Sequence, residues 1–376
     1  DTIKSMKKLS SMGFEFIVIT NQAGIARNKM NFKDLNDIHK KLLDLFEISE
    51  NKNLAEEVAS RYGFQNIVLQ DPKSALNKSD LDIFWNAGPN KAHTEATTIA
   101  AQAGAHVFCE KPLAPTSDEA LDLLINIQKT DVKHMCAFIH RFIPSLQLAH
   151  KIIKSGEIGE VQHFRSQFLL DMREADGSLT WRFIKALAGG GASGDLGSHH
   201  IDVARFLVGE IEEVCATTRT WSEGNKDIND DSFSAIAHIE NGAIATIEAS
   251  RITPGHALTG RIEIDGTKGT ISFDMERLNE LTITEKNKGP RTFSVTSSNH
   301  PYGSFYLPVG LQGAHPISWR DCFAFQAHHM IEAVQNNKQI EPLGATFKDG
   351  YRVAEIVDVA LLSAKTGKFE KVKFRD

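Results

Sequence analysis

The chain has 376 residues, 41% of them hydrophobic and 24% charged, with a formal net charge of -6 and a pI near 6.2. Those values describe an ordinary globular protein and exclude a basic nucleic-acid binder. No apolar run reaches the roughly 20 residues of a membrane span, and a chain this long is expected to divide into two domains. The four cysteines, Cys109, Cys136, Cys215 and Cys322, are scattered, with no C-x-x-C spacing and no histidine cluster beside them. Reduced thiols in a cytoplasmic protein without a metal site are expected. The start, Asp1 to Lys8, reads as a polar helical segment and not as a signal peptide.

In chain order, residues 2–12 predict a short helix and Phe14 to Thr20 a strand, followed by the polar loop Asn21 to Arg27. Leu35, Ile38, Leu42, Leu43 and Phe46 recur at helical spacing. Val18 to Arg27, with Phe32, Asp34 and Ile38-His39 downstream, resembles a fragment of a haloacid-dehalogenase-type phosphatase of the histidinol-phosphate and heptose-bisphosphate branch. The upstream Asp-x-Asp that such phosphatases need as nucleophile and metal support is missing, so phosphatase activity is not expected. The same strand, loop and helix could instead open a dinucleotide-binding domain, leading to a second strand at Leu43 to Ser49. The Gly-x-Gly-x-x-Gly positions would then be Asn21, Ala23 and Ala26, and the Cβ atoms of Asn21 and Ala23 impair close approach to a pyrophosphate.

Beyond Asn51 the pattern alternates. Ala55 to Tyr62 is a helix closed by Gly63, Asn66 to Leu69 a short strand, and Leu81 to Trp85 a strand running into Asn86-Ala-Gly-Pro-Asn90. A helix rich in small residues, Lys91 to Ala103, precedes His106-Val-Phe-Cys109. This last run has no alternation, as a buried parallel strand should, and ends in the charged turn Glu110-Lys111-Pro112. A lysine at the carboxyl end of such a strand sits where open α/β sheets keep their ligand crevice. Taken alone, His93 reads as a helix-surface residue and Asn90 as a helix cap.

The second half reads differently. A helix opens at His140-Arg-Phe-Ile-Pro144 and is broken by Gly156-Glu-Ile-Gly159. Strands are predicted at 161–170, 213–220, 232–240, 243–251, 261–265 and 270–274, several alternating as a half-exposed antiparallel sheet should. Asn241-Gly242 is a hairpin signal. Between the first two strands, Gly189-Gly-Gly191 reads as a flexible entry to a helix that carries Asp195, His199 and Asp202 at i, i+4 and i+7, hence on one face. A histidine flanked by two carboxylates after such a loop is a candidate base. Helices at 323–334 and 349–365 close the chain.

Gly88-Pro-Asn-Lys-Ala-His93 with Ala103 to Ala114 resembles the Gfo/Idh/MocA oxidoreductases, and the likeness runs from about Asn51 to Phe374. The resemblance implies NAD or NADP as cofactor, with Pro89, Asn90, His93 and Glu110 along the dinucleotide and Lys111 facing the reacting hydroxyl. Pro112, counted with the cofactor residues, is a candidate for a cis peptide. Asp195, Gly197, His199 and Asp202 match the family's Asp-x-Gly-x-His-x-x-Asp pattern, so Lys111, Asp195 and His199 are the implied catalytic positions. His140 with Arg141, Arg182 with Trp181, and Asp202 are implied substrate contacts.

The expected architecture is α/β, an atypical Rossmann-like parallel sheet domain plus a C-terminal α+β domain with a largely antiparallel open sheet. Residues 1–48 would stand in for the first Rossmann unit, 49–135 complete the dinucleotide domain, and 136–376 form the substrate and oligomerisation domain. The last helices would return to the first domain. The expected function is NAD(P)-dependent hydride transfer to or from a sugar or cyclitol hydroxyl. The alternative is a catalytically impaired binding protein of the same fold, because the glycine-rich loop is absent. The expected partners are a small-molecule substrate and other copies of the chain, as a dimer or tetramer, with neither nucleic acid nor membrane.

Overall fold

A computed structural model describes residues 16–20, 81–88, 90–173, 181–183, 185–222, 229–296 and 316–376. The expected helices at 31–46 and 55–62, the strands at 43–49 and 66–69, and Pro89 lie outside the described residues. Two sheets organise the rest. The first contains β1 (Phe16–Thr20), β2 (Ile83–Ala87), β3 (His106–Cys109) and β4 (His134–Cys136), in that order and all parallel. The pairing expected of the strand before Asn21 is present: Phe16 lies opposite Ile83 and Thr20 opposite Ala87.

Strands β2 and β3 are apolar on both faces because both faces are covered. Ile83, Phe84, Val107, Phe108 and Cys109 are all buried, and Trp85 stacks across the pair on Phe108 at 4.4 Å. β2 begins two residues later than the sequence predicts. Helix α1 (His93–Gln102) follows it after a 3-10 turn, Asn90–Ala92. Helix α2 (Ser117–Ile127) is capped by Thr116, whose hydroxyl accepts the amide of Glu119.

After β4 the chain makes a 3-10 turn at Ile139–Phe142 and enters α3 (Pro144–Lys154), with proline at its first position where no amide partner is lost. The second sheet has nine strands in the order β12-β11-β10-β9-β5-β8-β7-β6-β13. They are β5 (Val161–Leu169), β6 (Ile211–Arg219), β7 (Ser232–Ile239), β8 (Ile244–Ser250), β9 (Thr259–Gly266), β10 (Gly269–Asp274), β11 (Glu280–Glu285), β12 (Pro290–Ser294) and β13 (Glu370–Lys371). All neighbouring pairs are antiparallel except β5 with β8. Gly242, with φ of +86°, makes the β7–β8 hairpin turn, as the Asn-Gly pair predicts. β11, β12 and β13 are additions to the expected set.

Alternation divides the faces of this sheet. Phe233, Ala235, Ala237 and Ile239 of β7 are buried, and Ser234 and Ile236 are exposed. Helices α4 (Ser198–Leu207), α5 (Trp319–Gln335) and α6 (Phe347–Thr366) complete the chain, and both α5 and α6 start with reciprocal capping boxes, Ser318/Asp321 and Thr346/Asp349. Helix α6 packs on β6 of the second sheet and on α2 and β4 of the first domain, the expected return of the final helix. The architecture is thus a Rossmann-like parallel domain joined to a domain with a mostly antiparallel sheet.

Candidate active site

The carboxyl ends of β2, β3 and β4 form one rim, and it is tied together by two side chains. Asn86 is the penultimate residue of β2 and is buried. Its amide donates to Thr97 Oγ1 at 2.9 Å and to the carbonyls of His93 and Ala92 at 3.2 and 3.3 Å, and its carbonyl accepts the Gly88 amide. His93 is completely buried, with Nδ1 2.9 Å from the Pro112 carbonyl and Nε2 3.0 Å from the Gly88 carbonyl. Burial lowers its pKa against the opposing pull of those carbonyls. His93 is therefore a latch between the turns after β2 and β3, and the expected cofactor contact is corrected: both ring nitrogens face the protein's own backbone. Asn90, read as a cap or a cofactor contact, donates instead to the Ala188 carbonyl of the second domain at 2.6 Å. The Lys111–Pro112 bond is cis, as expected.

The latch sets the turn from which Lys111 reaches Asp195. Lys111 Nζ donates to Asp195 Oδ1 at 2.6 Å and to the Asp195 carbonyl at 2.7 Å. Arg182 Nε lies 3.7 Å from Asp195 Oδ2. Burial raises the Asp195 carboxyl, but Lys111 and Arg182 outweigh it and leave the group below its ordinary value. Glu110, beside this pair, is pushed up to about 7 by burial, with Lys111 and Arg182 pulling the other way.

Asp195 stands on a π-helical turn, Ser193–Gly197, and not on an α-helix. Such turns are rare and recur at functional sites. The wider turn breaks the 3.6-residue periodicity on which the shared face of Asp195, His199 and Asp202 depends. Asp195 accordingly faces Lys111, while Asp202 is fully buried on another side. There Asp202 accepts Arg141 Nη2 at 2.6 Å and Nε at 2.8 Å, with Asp349 a further 3.1 Å from the same guanidinium. The expected substrate contact by Asp202 is corrected to a sealed ion pair, since neither carboxylate oxygen remains for a ligand.

His199 and His140 do come together. Their rings stack at 4.5 Å, and His140 also meets His200, Phe168 and Trp319 edge-on at 5.2 to 5.5 Å. His140 Nδ1 and Nε2 and His199 Nδ1 are buried without a hydrogen-bond partner. Burial, and then Lys111 and the neighbouring histidines, hold His199 well below its ordinary pKa, so it is neutral. Orientation of His199 by Asp195 is not seen; its ring is set by stacking.

Behind the site lies a layer that the sequence does not flag. Arg251, completely buried, donates to the Arg182 carbonyl at 2.8 Å and the Asn229 carbonyl at 3.1 Å, and its guanidinium lies 3.9 Å over the Phe183 ring. It also pairs with Asp231 at 3.3 Å. Asn229 holds the Gly190 carbonyl, and Asp230 holds the amide and hydroxyl of Ser193 at the start of the π turn. A Cβ on Gly191 would lie 2.3 Å from Asp230 atoms, so this loop is glycine-rich for close packing and not for flexibility. The one available signal was the polar run Asn229-Asp230-Asp231 before an apolar strand.

A parallel sheet with basic, acidic and imidazole groups at its carboxyl rim, backed by an antiparallel sheet, defines a dinucleotide-dependent oxidoreductase. The chain belongs to the Gfo/Idh/MocA family. Residues 23–138 match the family model for "Oxidoreductase family, NAD-binding Rossmann fold", and 146–272 match "GFO/IDH/MocA C-terminal domain". It is 35% identical to levoglucosan dehydrogenase of Pseudarthrobacter phenanthrenivorans over 84% of this chain and 85% of that one. It is 31% identical to scyllo-inositol 2-dehydrogenase (NAD(+)) of Bacillus subtilis over 76% and 77%. A levoglucosan dehydrogenase structure in complex with NADH and levoglucosan superposes with a TM-score of 0.78 at 35% identity, covering 86% of this chain and 88% of that one.

The residues present fit a nicotinamide cofactor. The crevice outside the carboxyl ends of β2 to β4 is where such folds bind dinucleotides. The orphaned nitrogens of His140 and His199 at its far wall require partners that the described residues do not supply. The Asn21 to Ala26 loop, where a pyrophosphate would be met, lies outside the described residues.

Proposed function

We propose that the protein oxidises a hydroxyl of a sugar or cyclitol with NAD or NADP, Lys111, Asp195 and His199 being the catalytic residues. The observation that carries this reading is the Lys111–Asp195 contact of 2.6 Å beside a histidine kept neutral. The nicotinamide, when bound, supplies the hydride acceptor. An ammonium has three N–H groups, and Lys111 spends two on Asp195. The third is left to donate to the substrate oxygen and to stabilise alkoxide charge as it develops. His199 takes the hydroxyl proton on a ring nitrogen as general base. Asp195 fixes Lys111 through two oxygens, and Arg182 helps hold Asp195 ionised. His140 completes the wall and can meet a substrate hydroxyl with its unpartnered nitrogens. Glu110 and the Gly88–Asn90 turn border the cofactor side. Levoglucosan and scyllo-inositol, named for the relatives above, are the first substrates to try.

Residues 1–48 are proposed to serve as the first unit of the dinucleotide domain, with 49–135 its remainder and 136–376 the substrate domain. The parallel pairing of Phe16–Thr20 with Ile83–Ala87 supports this use of a phosphatase-like segment. The uncovered face of the second sheet, with Ile236 and Ile244 exposed, supports a homo-oligomer, and the four free cysteines support a cytoplasmic setting. The test is formation of reduced nicotinamide on mixing the protein with NAD or NADP and each candidate polyol. Cofactor binding without turnover of any polyol would leave a binding protein in place of an enzyme.

A further inference from the structure

We infer that Asp230 is a positioning residue for the reaction, its carboxylate holding the turn that presents Asp195 to Lys111, an inference that rests on the catalytic reading above. It follows from how the Lys111–Asp195 contact is made. Lys111 meets two oxygens of one residue, Asp195 Oδ1 at 2.6 Å and the Asp195 carbonyl at 2.7 Å. A shift of the backbone at Asp195 therefore alters both bonds at once. The contact also joins the two domains, so its length depends on where each of them places its end. On the first domain the His93 latch sets the turn of Lys111. The second domain needs an equivalent, because Asp195 lies just beyond three successive glycines, Gly189 to Gly191, which have no side chains with which to fix themselves.

Asp230 supplies it. Its Oδ2 accepts the Ser193 amide at 2.8 Å, its Oδ1 accepts the Ser193 hydroxyl at 3.0 Å, and its carbonyl accepts the Ala192 amide at 2.8 Å. Asn229, next to it, donates to the Gly190 carbonyl at 2.9 Å. The loop lies so close that a Cβ on Gly191 would stand 2.3 Å from the Asp230 carbonyl oxygen and from its Oδ1. The Asp195 amide in turn donates to the Gly191 carbonyl at 2.8 Å, which carries the tie on to the residue that meets Lys111.

Asp230 is itself fixed to the middle of the second sheet, just before β7. The next residue, Asp231, is fully buried; its amide donates to the Arg219 carbonyl at the end of β6 at 2.8 Å, and its carbonyl accepts the Arg251 amide, just past β8, at 3.0 Å. A reacting contact keeps its geometry when its supports stand on rigid elements such as these. Both oxygens of Asp230 act as acceptors toward Ser193, so what the side chain supplies is geometry. An amide of the same shape still offers one oxygen to the Ser193 amide and an N–H to the Ser193 hydroxyl oxygen. Removal of the side chain takes both partners from Ser193 and lets the turn shift against Lys111. Misplacement of a reacting group by about 1 Å costs about a hundredfold in rate.

The test compares the full chain, supplied with NAD or NADP and its best polyol, with Asp230→Ala, Asp230→Asn, Ser193→Ala and Lys111→Met. Asp230→Ala should lose about a hundredfold in kcat, with KM for the polyol and affinity for the reduced cofactor, read by fluorescence, within about threefold of the parent. Asp230→Asn should recover turnover to within about fivefold of the parent, because it keeps the shape and a bond to each Ser193 group. Ser193→Ala removes one of the two side-chain bonds, tests the same tie should Asp230→Ala not fold, and should fall between. In the Lys111→Met background, Asp230→Ala should cost no more than about a further twofold. Turnover lost only in step with the folded fraction, or lost equally with and without Lys111, would make Asp230 a structural anchor and overturn the inference while the dehydrogenase reading stands. Asp230→Asn as slow as Asp230→Ala would overturn it too, since charge and not geometry would then be what Asp230 supplies. Lys111→Met with parental turnover would overturn the catalytic reading and the inference together. If the parent turns over no polyol, the dehydrogenase reading falls, and crystal structures of the parent and Asp230→Ala decide the rest. An unmoved Lys111–Asp195 contact overturns the inference, and a lengthened one upholds Asp230 as the residue that sets it.

Discussion

The ion pairs of Asp195 and Asp202, seven residues apart, differ in kind. Lys111–Asp195 sits at the rim of the parallel sheet with its side chains 15% and 22% exposed, while Arg141–Asp202 is sealed at 4% and 0%. In the sealed pair both carboxylate oxygens are taken by one guanidinium, and Asp349 and Arg205 surround it. The open pair leaves a donor on Lys111 and has a neutral base nearby. On the proposed reading, the same residue types serve chemistry where a donor is left over and stability where none is.

The sharpest break in that comparison is Lys111→Met, which removes the spare donor without burying an unpaired charge, since Asp195 keeps Arg182. Turnover of the best substrate should fall by about a thousandfold, or about 4 kcal/mol of transition-state stabilisation. Unfolding free energy should change by no more than about 1 kcal/mol, because a partly exposed pair contributes little. Steady-state kinetics and urea unfolding on the same preparation decide it; near-normal turnover with a collapsed fold would reverse the assignment.

Asp202→Asn is the mirror experiment. Loss of one buried partner leaves the Arg141 charge only partly compensated, by Asp349 at 3.1 Å, so unfolding free energy should drop by about 3 kcal/mol. Turnover per folded molecule should stay close to that of the parent. A stable variant with a raised KM would restore Asp202 to the substrate contacts.

Stability against pH separates the regions again. Glu110 has a folded pKa of about 7 against an ordinary 4.5, so between those values the folded protein holds a proton that the unfolded chain has lost. Its contribution falls as pH rises through that window. His134, which accepts the Phe347 amide on Nδ1, is lowered by burial to about 4, and His200 to about 3. For these the unfolded chain binds the extra proton, so stability falls as pH drops below 6.5. The histidines outnumber Glu110, and net stability should decline toward acid. Glu110→Gln should steepen that decline by about 1.4 kcal/mol per pH unit between pH 5 and 6.5 and stabilise the protein by about 3 kcal/mol at pH 8. Thermal unfolding across this range checks both signs; an unchanged slope would place Glu110 outside the buried rim.

The sequence carried the rim more openly than the wall. His106 to Pro112 announces itself because the buried part of the strand, Val107-Phe-Cys109, is apolar, so the charges that follow stand out. The alternation of β5 to β10 and the turn at Gly242 are equally local. Asp202 was misplaced because i, i+7 spacing presumes an unbroken α-helix, and nothing in Ser193 to Gly197 reveals a π turn. Arg251 and Asn86 look like ordinary strand-end polar residues; the meaning of Arg251 lies in Arg182, far away in the chain, and that of Asn86 in how the next turn and helix fold back on it. His93 was placed on a helix surface for the same reason, its acceptors being carbonyls of two separate turns. β12, a polar edge strand with proline at its first position, carries little apolar signal.

The smallest expected effect belongs to Arg182, and it tests how the open pair is divided. Arg182 Nε lies 3.7 Å from Asp195 Oδ2, too far for a strong hydrogen bond, and its side chain is 25% exposed. Lys111 holds the other carboxylate oxygen at 2.6 Å. If Lys111 alone fixes Asp195 and donates to the substrate, then Arg182→Gln removes only a partly screened attraction. The loss in kcat/KM should be about tenfold or less. The Arg182 carbonyl is unaffected by the substitution, so Arg251 keeps its bond and the wall keeps its shape. Arg182→Gln should therefore leave unfolding within about 0.5 kcal/mol of the parent. A hundredfold loss in kcat at unchanged stability would mean that Arg182 touches the substrate, and the division between one working cation and one supporting cation would fall.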